Sequence, residues 1–281
     1  ELVMPEGGTC VPYRLDSVGR GRIMTVPVHI GGNVRDFVFD TGAAQFNFVS
    51  ERFARENGIR MIADSIPVAG IGRGWVGLGV ADSLAVGGIV MRNPVFLISP
   101  PDQATDTIEV ISAVLGNAFM RKAESFTIDN RTRHIVFPAE RTLHADGTER
   151  MANMMLNSFQ PYVRIHADGI PLLFHFDTGN VATTLYSPYY ELFREQVDSC
   201  GVEDTVRIGG FAGVAENVCY RLPSVEFTLE GVPFTLRDID VLPSGSAGAT
   251  AGSEAGSLGT DFATAFDTLT VDYTSCSVRG E

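Results

Sequence analysis

The sequence predicts a mostly β protein built as two pseudo-symmetric lobes with a cleft between them. Three observations carry this expectation. The tetrapeptide Phe39-Asp40-Thr41-Gly42 returns as Phe176-Asp177-Thr178-Gly179, 137 residues later, and the match runs without a gap from 26–50 onto 163–187 with nine of twenty-five pairs identical. Each copy lies in a hairpin pattern, two apolar runs around a Gly-bearing turn. The stretches 66–98 and 206–242 then carry apolar residues and scattered glycines without a helical period. An internal duplication in 281 residues gives two units, each large enough to bury a core; we place them at 1–150 and 151–281.

Composition narrows the class. Apolar residues make up 44% and charged residues 20%, which is ordinary for a folded soluble chain, and no apolar run is long enough to span a membrane. A net charge of −13 argues against a nucleic-acid partner, because phosphate contacts need clustered Lys and Arg. The chain begins at Glu1 rather than Met. We therefore expect that an upstream piece was either processed off or never cloned, and that the protein is exported, whether periplasmic, cell-surface or secreted. Cys10, Cys200, Cys219 and Cys276 form no Cys-x-x-Cys pair, so a zinc site is not expected. In an exported protein Cys200–Cys219 is the disulfide to test first, since it closes a short loop; four independent buried thiols are the alternative.

In chain order, the Gly- and Pro-dotted segment through Arg20 yields to a strand over 23–30, a turn at Gly31-Gly32-Asn33, and a second strand over 37–40 that delivers Asp40 to its end. The second copy repeats this with 162–167, the turn Asp168-Gly169, and 172–177. A short apolar run follows each copy and ends on a Ser placed as a helix N-cap. Ser50 opens a helix over 51–57 stopped by Gly58, and Ser187, followed by Pro188, opens a longer one over 189–197. Several strands are expected over 66–98 and 206–242.

A third shared block pairs Leu115-Gly116 with Leu258-Gly259, and Phe126-Thr127-Ile128-Asp129 with Leu269-Thr270-Val271-Asp272, now displaced by 143. The second copy has thus gained six residues, for which the Gly-, Ala-, Ser- and Thr-rich stretch 244–257 is the place. Residues 138–160 read as the connection between lobes, and the methionines of 151–156 as packing between them.

An Asp at the end of a buried apolar strand is costly unless hydrogen-bonded, so two at equivalent places need a reason. Thr supplies a hydroxyl that can lock the loop, and Gly lets backbone approach the carboxylate. Two such loops facing each other bring two carboxylates together. The pair then shares one proton and offers an acid and a base in one site.

These residues resemble the pepsin- and retropepsin-type aspartic proteases, specifically the bacterial single-chain form with two retropepsin-like lobes. The likeness covers each hairpin, each Phe-Asp-Thr-Gly loop, the helix after it, and the Leu-Gly segments that in this family thread behind the loops. It implies a pepsin-like fold and an aspartic endopeptidase, with Asp40 and Asp177 catalytic and with Thr41, Gly42, Thr178 and Gly179 supporting the loops. It further implies a polypeptide substrate, a monomer, and neither cofactor nor metal.

Two departures bear on the site. After the Gly, Ala43 fits the retropepsin habit but Asn180 does not. Ala43 offers Asp40 no side-chain donor, whereas the Asn180 amide could reach Asp177, so Asp177 is expected to ionise more readily; the bland reading has Asn180 facing solvent or capping the turn. The family also covers its cleft with a hairpin flap. Gly70 to Gly79, with the sole Trp at 75, has the composition for one, so Gly74 and Trp75 are candidate substrate contacts, mirrored by Phe211. The alternative is a Trp packed in a lobe core.

The letters Gly72-Arg73-Gly74-Trp75-Val76-Gly77 fit a dinucleotide loop, but no helix follows to hold a phosphate. The five histidines, among them His175, show no metal spacing. Two rivals stand beside the protease. One is a catalytically silent relative serving as a peptide-binding module; the other is a carboxylate-pair glycosidase, against which the duplicated Asp-Thr-Gly loops argue.

Overall fold

The computed structural model describes residues 1–70, 72–101, 111–139, 152–210, 213–243 and 253–281. Its first half runs β1 (Leu2–Val3), β2 (Thr9–Pro12), β3 (Arg14–Val18), β4 (Gly21–Ile30), β5 (Asn33–Phe39), β6 (Asn47–Ser50), α1 (Glu51–Glu56), β7 (Arg60–Gly70), β8 (Gly72–Val80), β9 (Ser83–Val86), β10 (Ile89–Arg92), β11 (Val95–Ser99), β12 (Ala113–Leu115), α2 (Asn117–Met120), β13 (Ser125–Asp129) and β14 (His134–Phe137). Its second half runs β15 (Met154–Asn157), β16 (Gln160–Ala167), β17 (Ile170–Phe176), β18 (Thr184–Leu185), α3 (Ser187–Leu192), α4 (Arg194–Cys200), β19 (Val202–Gly210), β20 (Gly213–Leu229), β21 (Val232–Val241), β22 (Gly256–Leu258), α5 (Thr260–Ala263), β23 (Thr268–Asp272) and β24 (Ser277–Gly280). The fold is mostly β, as the sequence predicts.

Three sheets organise these strands. One, in the order β1-β10-β9-β4-β5-β12-β6-β11-β8-β7 with β3 added on β4, draws only on the first half, and another, β15-β16-β17-β22-β18-β21-β20-β19, only on the second. The third, β2-β14-β13-β23-β24, takes strands from both. At its centre β13 and β23 pair antiparallel with Thr127 opposite Thr270, and their hydroxyls are hydrogen-bonded at 2.9 Å. Thr127 and Thr270, which the 143-residue displacement relates, are therefore each other's partners at the centre of this antiparallel pair.

The hairpins form where their turns demand it. Gly31 and Gly32, and Asp168 and Gly169, all take positive φ, the conformation of a two-residue turn that matches strand twist. Burial alternates along β17, whereas β5 ends in three successive buried residues. Phe37 and Phe39 on β5, and Phe174 and Phe176 on β17, are fully buried. Phe39 packs edge-on against Phe126 at 5.0 Å, and Phe176 against Phe262 at 5.4 Å.

Several expectations need correction or lie outside what the structure describes. The segment before Arg20 is not irregular: β1 pairs with β10 and β2 with β14, partners too distant in sequence to leave a local signal. The connection between halves already contains β15, which pairs with β16 and buries Met154 in the core while Met155 stays exposed. The boundary at 150 and 151, Met151 itself, and most of the stretch 244–257 fall outside the described residues. All four cysteines are free thiols, with Cys219 buried and Cys10 and Cys200 exposed.

The second helix also departs from expectation. Ser50 caps α1 as predicted, its Oγ accepting the Phe53 N–H at 3.1 Å, but Ser187 lies inside α3, whose N-cap is Tyr186 without a side-chain bond. The predicted single helix is broken at Phe193 into α3 and α4. The shifted cap comes from a one-residue slip. Val114 faces Phe48 across β12 and β6, and the corresponding Ser257 faces Thr184, 136 residues on rather than 137. Asn47 Oδ1 accepts the Gly116 N–H at 3.0 Å, and its counterpart accepting from Gly259 at 3.1 Å is the hydroxyl of Thr183. The second loop is thus one residue shorter after Asn180, and the identity of Ser50 and Ser187 is accidental. Ser50→Ala should therefore cost about 1 kcal/mol in urea unfolding, while Ser187→Ala should change stability by less than about 0.5 kcal/mol.

Candidate active site

Strands β5 and β17 are each followed directly by an Asp whose backbone is held from behind. β12 runs parallel to β5, and the Asp40 N–H donates to the Leu115 carbonyl at 3.1 Å; β22 runs parallel to β17, and the Asp177 N–H donates to Leu258 at 2.9 Å. The Leu-Gly segments thread behind the loops as the resemblance implied.

The loops are locked to each other through their threonines, both fully buried. The Thr41 N–H donates to Thr178 Oγ1 at 3.1 Å and the Thr178 N–H to Thr41 Oγ1 at 3.0 Å. Each hydroxyl then donates across the pair, Thr41 Oγ1 to the Phe176 carbonyl at 2.8 Å and Thr178 Oγ1 to the Phe39 carbonyl. Every hydroxyl thereby gives one bond and takes one, which leaves no buried donor or acceptor idle.

This lock sets the two carboxyls side by side. A Cβ on Gly42 would fall onto the carboxyl of Asp177, and one on Gly179 onto that of Asp40. Only glycine fits at either place, because each loop backbone is one wall of the other loop's carboxyl. Oδ1 of Asp40 accepts the N–H groups of Gly42 at 2.8 Å and Ala43 at 2.9 Å, and Oδ1 of Asp177 accepts that of Gly179 at 3.0 Å.

Enclosure by protein raises the pKa of both carboxyls, although each keeps part of its surface open. Asp40 is held well above the usual carboxylate range, first by burial, then by the charge of Asp177 and by a hydrogen bond with it. Asp177 is raised less. Burial is again the main cause, but the bond from Asp40 and the N–H groups of Gly179, Asn180 and Gly42 all favour its ionised form. The pair shares a proton, and these bonds favour the ionised form at Asp177 over that at Asp40.

That is the asymmetry expected from the sequence, but its cause differs. The Asn180 amide does not reach Asp177; its Nδ2 points to Ser257 Oγ at 3.4 Å, and the residue acts on Asp177 through its backbone N–H. Asn180→Ala should accordingly leave a pH–rate profile unmoved within about 0.3 units, since a backbone N–H survives the substitution.

Hairpins from each half reach the opposite loop. Gln160, at the start of β16, donates from Nε2 to the Gly42 carbonyl at 3.0 Å. In the reciprocal place the Arg22 N–H on β4 donates to the Val181 carbonyl at 3.3 Å, and Arg20 pairs with Asp240 at 2.8 Å. Neither Gln160 nor Arg20 was singled out in the sequence, where nothing marks their distant partners.

Of the flap candidates, Gly74 and Trp75 lie on β8, which forms a long hairpin with β7 through Pro67↔Trp75 and Val68↔Gly74. Trp75 is 62% exposed, so it is not a core residue. Phe211 lies outside the described residues.

His175, two residues before Asp177, is the group that spacing alone failed to flag. Burial pushes its imidazole down to about 4, against the opposing pull of Asp40 and Glu254. Its Nδ1 is 3.4 Å from Ser257 Oγ, and its ring lies 5.3 Å from that of Tyr162. Tyr186, hydrogen-bonded to Ser257, is pushed up to about 12, chiefly by burial and then by the charge of Asp177.

The mostly β fold of curled sheets is consistent with an aspartic protease fold. Residues 26–119 match the family model described as aspartyl protease, a span that contains the first loop and the first Leu-Gly segment. No curated protein matches the chain. Among the described residues no helix is long and apolar enough to cross a membrane.

Proposed function

We propose that the chain is an aspartic endopeptidase of two pseudo-symmetric lobes, with Asp40 and Asp177 as its catalytic pair. One observation carries this reading: each Asp-Thr-Gly loop supplies the glycine against which the other loop's carboxyl rests, while the threonines hold both loops in register. Such an arrangement has no evident structural purpose, since it confines two acids at mutual cost.

The chemistry follows from the proton. Asp177, ionised, takes a proton from a water between the carboxyls as the water oxygen attacks the peptide carbonyl carbon, and Asp40 gives its proton to the carbonyl oxygen. A tetrahedral diol results. Asp177 then passes its proton to the departing nitrogen as the C–N bond breaks, and Asp40 recovers one from a diol hydroxyl. The pair ends as it began, with one proton. Trp75, exposed on the β7–β8 hairpin, is a candidate to close over the substrate. Because one chain supplies both acids, the proposed enzyme is a monomer; we also propose that it is exported.

The test is incubation of the purified chain with an unfolded protein from pH 3 to 8, with and without a peptide carrying a tetrahedral-diol mimic. Cleavage blocked by the mimic supports the reading. Absence of cleavage throughout that range overturns it.

A further inference from the structure

The surfaces beside the two carboxyls are built from opposite materials. Next to Asp40, Ile23, Val38, Ala43 and Val114 form a buried apolar cluster flanked by the partly exposed Phe48 and Ile111. Carried to the second half by the displacements established above, Val38 becomes His175, Ala43 becomes Asn180, Val114 becomes Ser257 and Ile111 becomes Glu254. The equivalence is geometric. Val38 and Val114 are partners between parallel strands, and so are His175 and Ser257.

Side chains two apart on a strand share a face, so Val38 stands on the Asp40 side and His175 on the Asp177 side. In place of close-packed aliphatic groups the second half holds a polar chain. Asn180 Nδ2 lies 3.4 Å from Ser257 Oγ, which lies 3.4 Å from His175 Nδ1, both at the long limit of hydrogen bonding. Nε2 of His175 is buried without a hydrogen-bond partner among the described residues. Thr25, the cross-strand partner of Val38, is already engaged with Asp16 at 2.7 Å.

We propose that these two surfaces are unlike side-chain subsites on either side of the scissile bond, apolar beside Asp40 and hydrogen-bonding beside Asp177, with His175 and Ser257 as the residues that set the second preference. The substrate class is then a peptide with an apolar residue on one side of the cleaved bond and an uncharged hydrogen-bonding residue (Asn, Gln, Ser, Thr or neutral His) on the other. This rests on the reading of Asp40 and Asp177 as the catalytic pair. The reasoning concerns what is left unpaired. A buried imidazole nitrogen that meets an aliphatic side chain stays without a partner, whereas an amide or hydroxyl satisfies it, and sites of this kind discriminate strongly. Burial keeps the ring neutral, with one nitrogen donating and the other accepting.

The experiment profiles cleaved bonds in a library of peptides from a digested proteome, for the wild type, His175→Val/Ser257→Val and His175→Gln. The wild type should select an apolar residue on one side and a hydrogen-bonding residue on the other. The double variant, which restores the residues of the apolar half, should lose the polar preference by about tenfold or more and keep the apolar one. His175→Gln, which retains hydrogen bonding, should keep both. An identical preference on both sides of the bond in the wild type overturns the proposal even if the double variant does not fold; so does a folded double variant with the wild-type profile. If the wild type cleaves nothing, the catalytic reading fails, and the subsites are read from the peptides that the immobilised protein retains. Adjacent apolar and hydrogen-bonding residues among these uphold the subsites, and retention without that pairing overturns them.

Discussion

Asp40→Asn and Asp177→Asn are each expected to lower kcat/KM for peptide-bond cleavage by about a thousandfold or more, because each removes one half of a proton exchange that neither carboxyl performs alone. Asn has the shape of Asp and keeps an oxygen for the loop N–H groups, so loss of folding is not the expected cause. Stability should move the other way. Both carboxyls have folded-state pKa values above the ordinary 3.8. A raised carboxyl favours the folded state below 3.8, and that contribution fades as pH climbs through the folded value. Relative to wild type, then, Asp40→Asn should have a similar Tm at pH 3 and a higher one at pH 7. The wild-type rate should peak above 3.8, falling on the acid side as Asp177 gains a proton and on the alkaline side as Asp40 loses one. Cleavage surviving either substitution, or a Tm difference that shrinks with rising pH, would contradict this assignment.

The second large effect belongs to the lock. Thr41→Val keeps the volume but leaves the Phe176 carbonyl and the Thr178 N–H without their partner, both in a fully buried place. At about 1–3 kcal/mol for each orphaned group, the cost is about 2–6 kcal/mol, a large share of a typical domain's stability. Thr178→Val should cost a similar amount, for it orphans the Phe39 carbonyl and the Thr41 N–H. The double substitution should cost less than the sum, since both break one network. Thr→Ser at either position keeps the hydroxyl and should restore most of the loss. Urea unfolding of the four single variants and the double decides it; additive costs would mean that the hydroxyls act separately.

Much of the site is legible in the sequence because repetition marks it. The paired Phe-Asp-Thr-Gly loops, their hairpins and the Leu-Gly strands behind them all stand where two copies predict, since each is a local pattern that appears twice. What depends on distant partners is not legible. The strands Leu2–Val3 and Thr9–Pro12 look like loose chain until β10 and β14 supply their edges. The lost residue after Asn180 is hidden by a chance identity of two serines, and only the strand register exposes it. His175 is hidden for a similar reason. Read for metal spacing it says nothing, whereas the informative comparison is with Val38, its partner in the repeat: pairs that change character within a duplication carry as much as pairs that agree.

The cross-bonds between threonines span 135 to 139 residues, and the central bond between Thr127 and Thr270 spans 143. Contacts so far apart in the chain close late in folding, after the local hairpins have formed. A nascent or half-folded chain therefore carries its two acids on separate hairpins, each exposed to water and neither able to share a proton. Cutting power, on the proposed function, arrives only with the last joining of the halves. On that reading the chain is inert during the period when its own unfolded segments would be its nearest substrate.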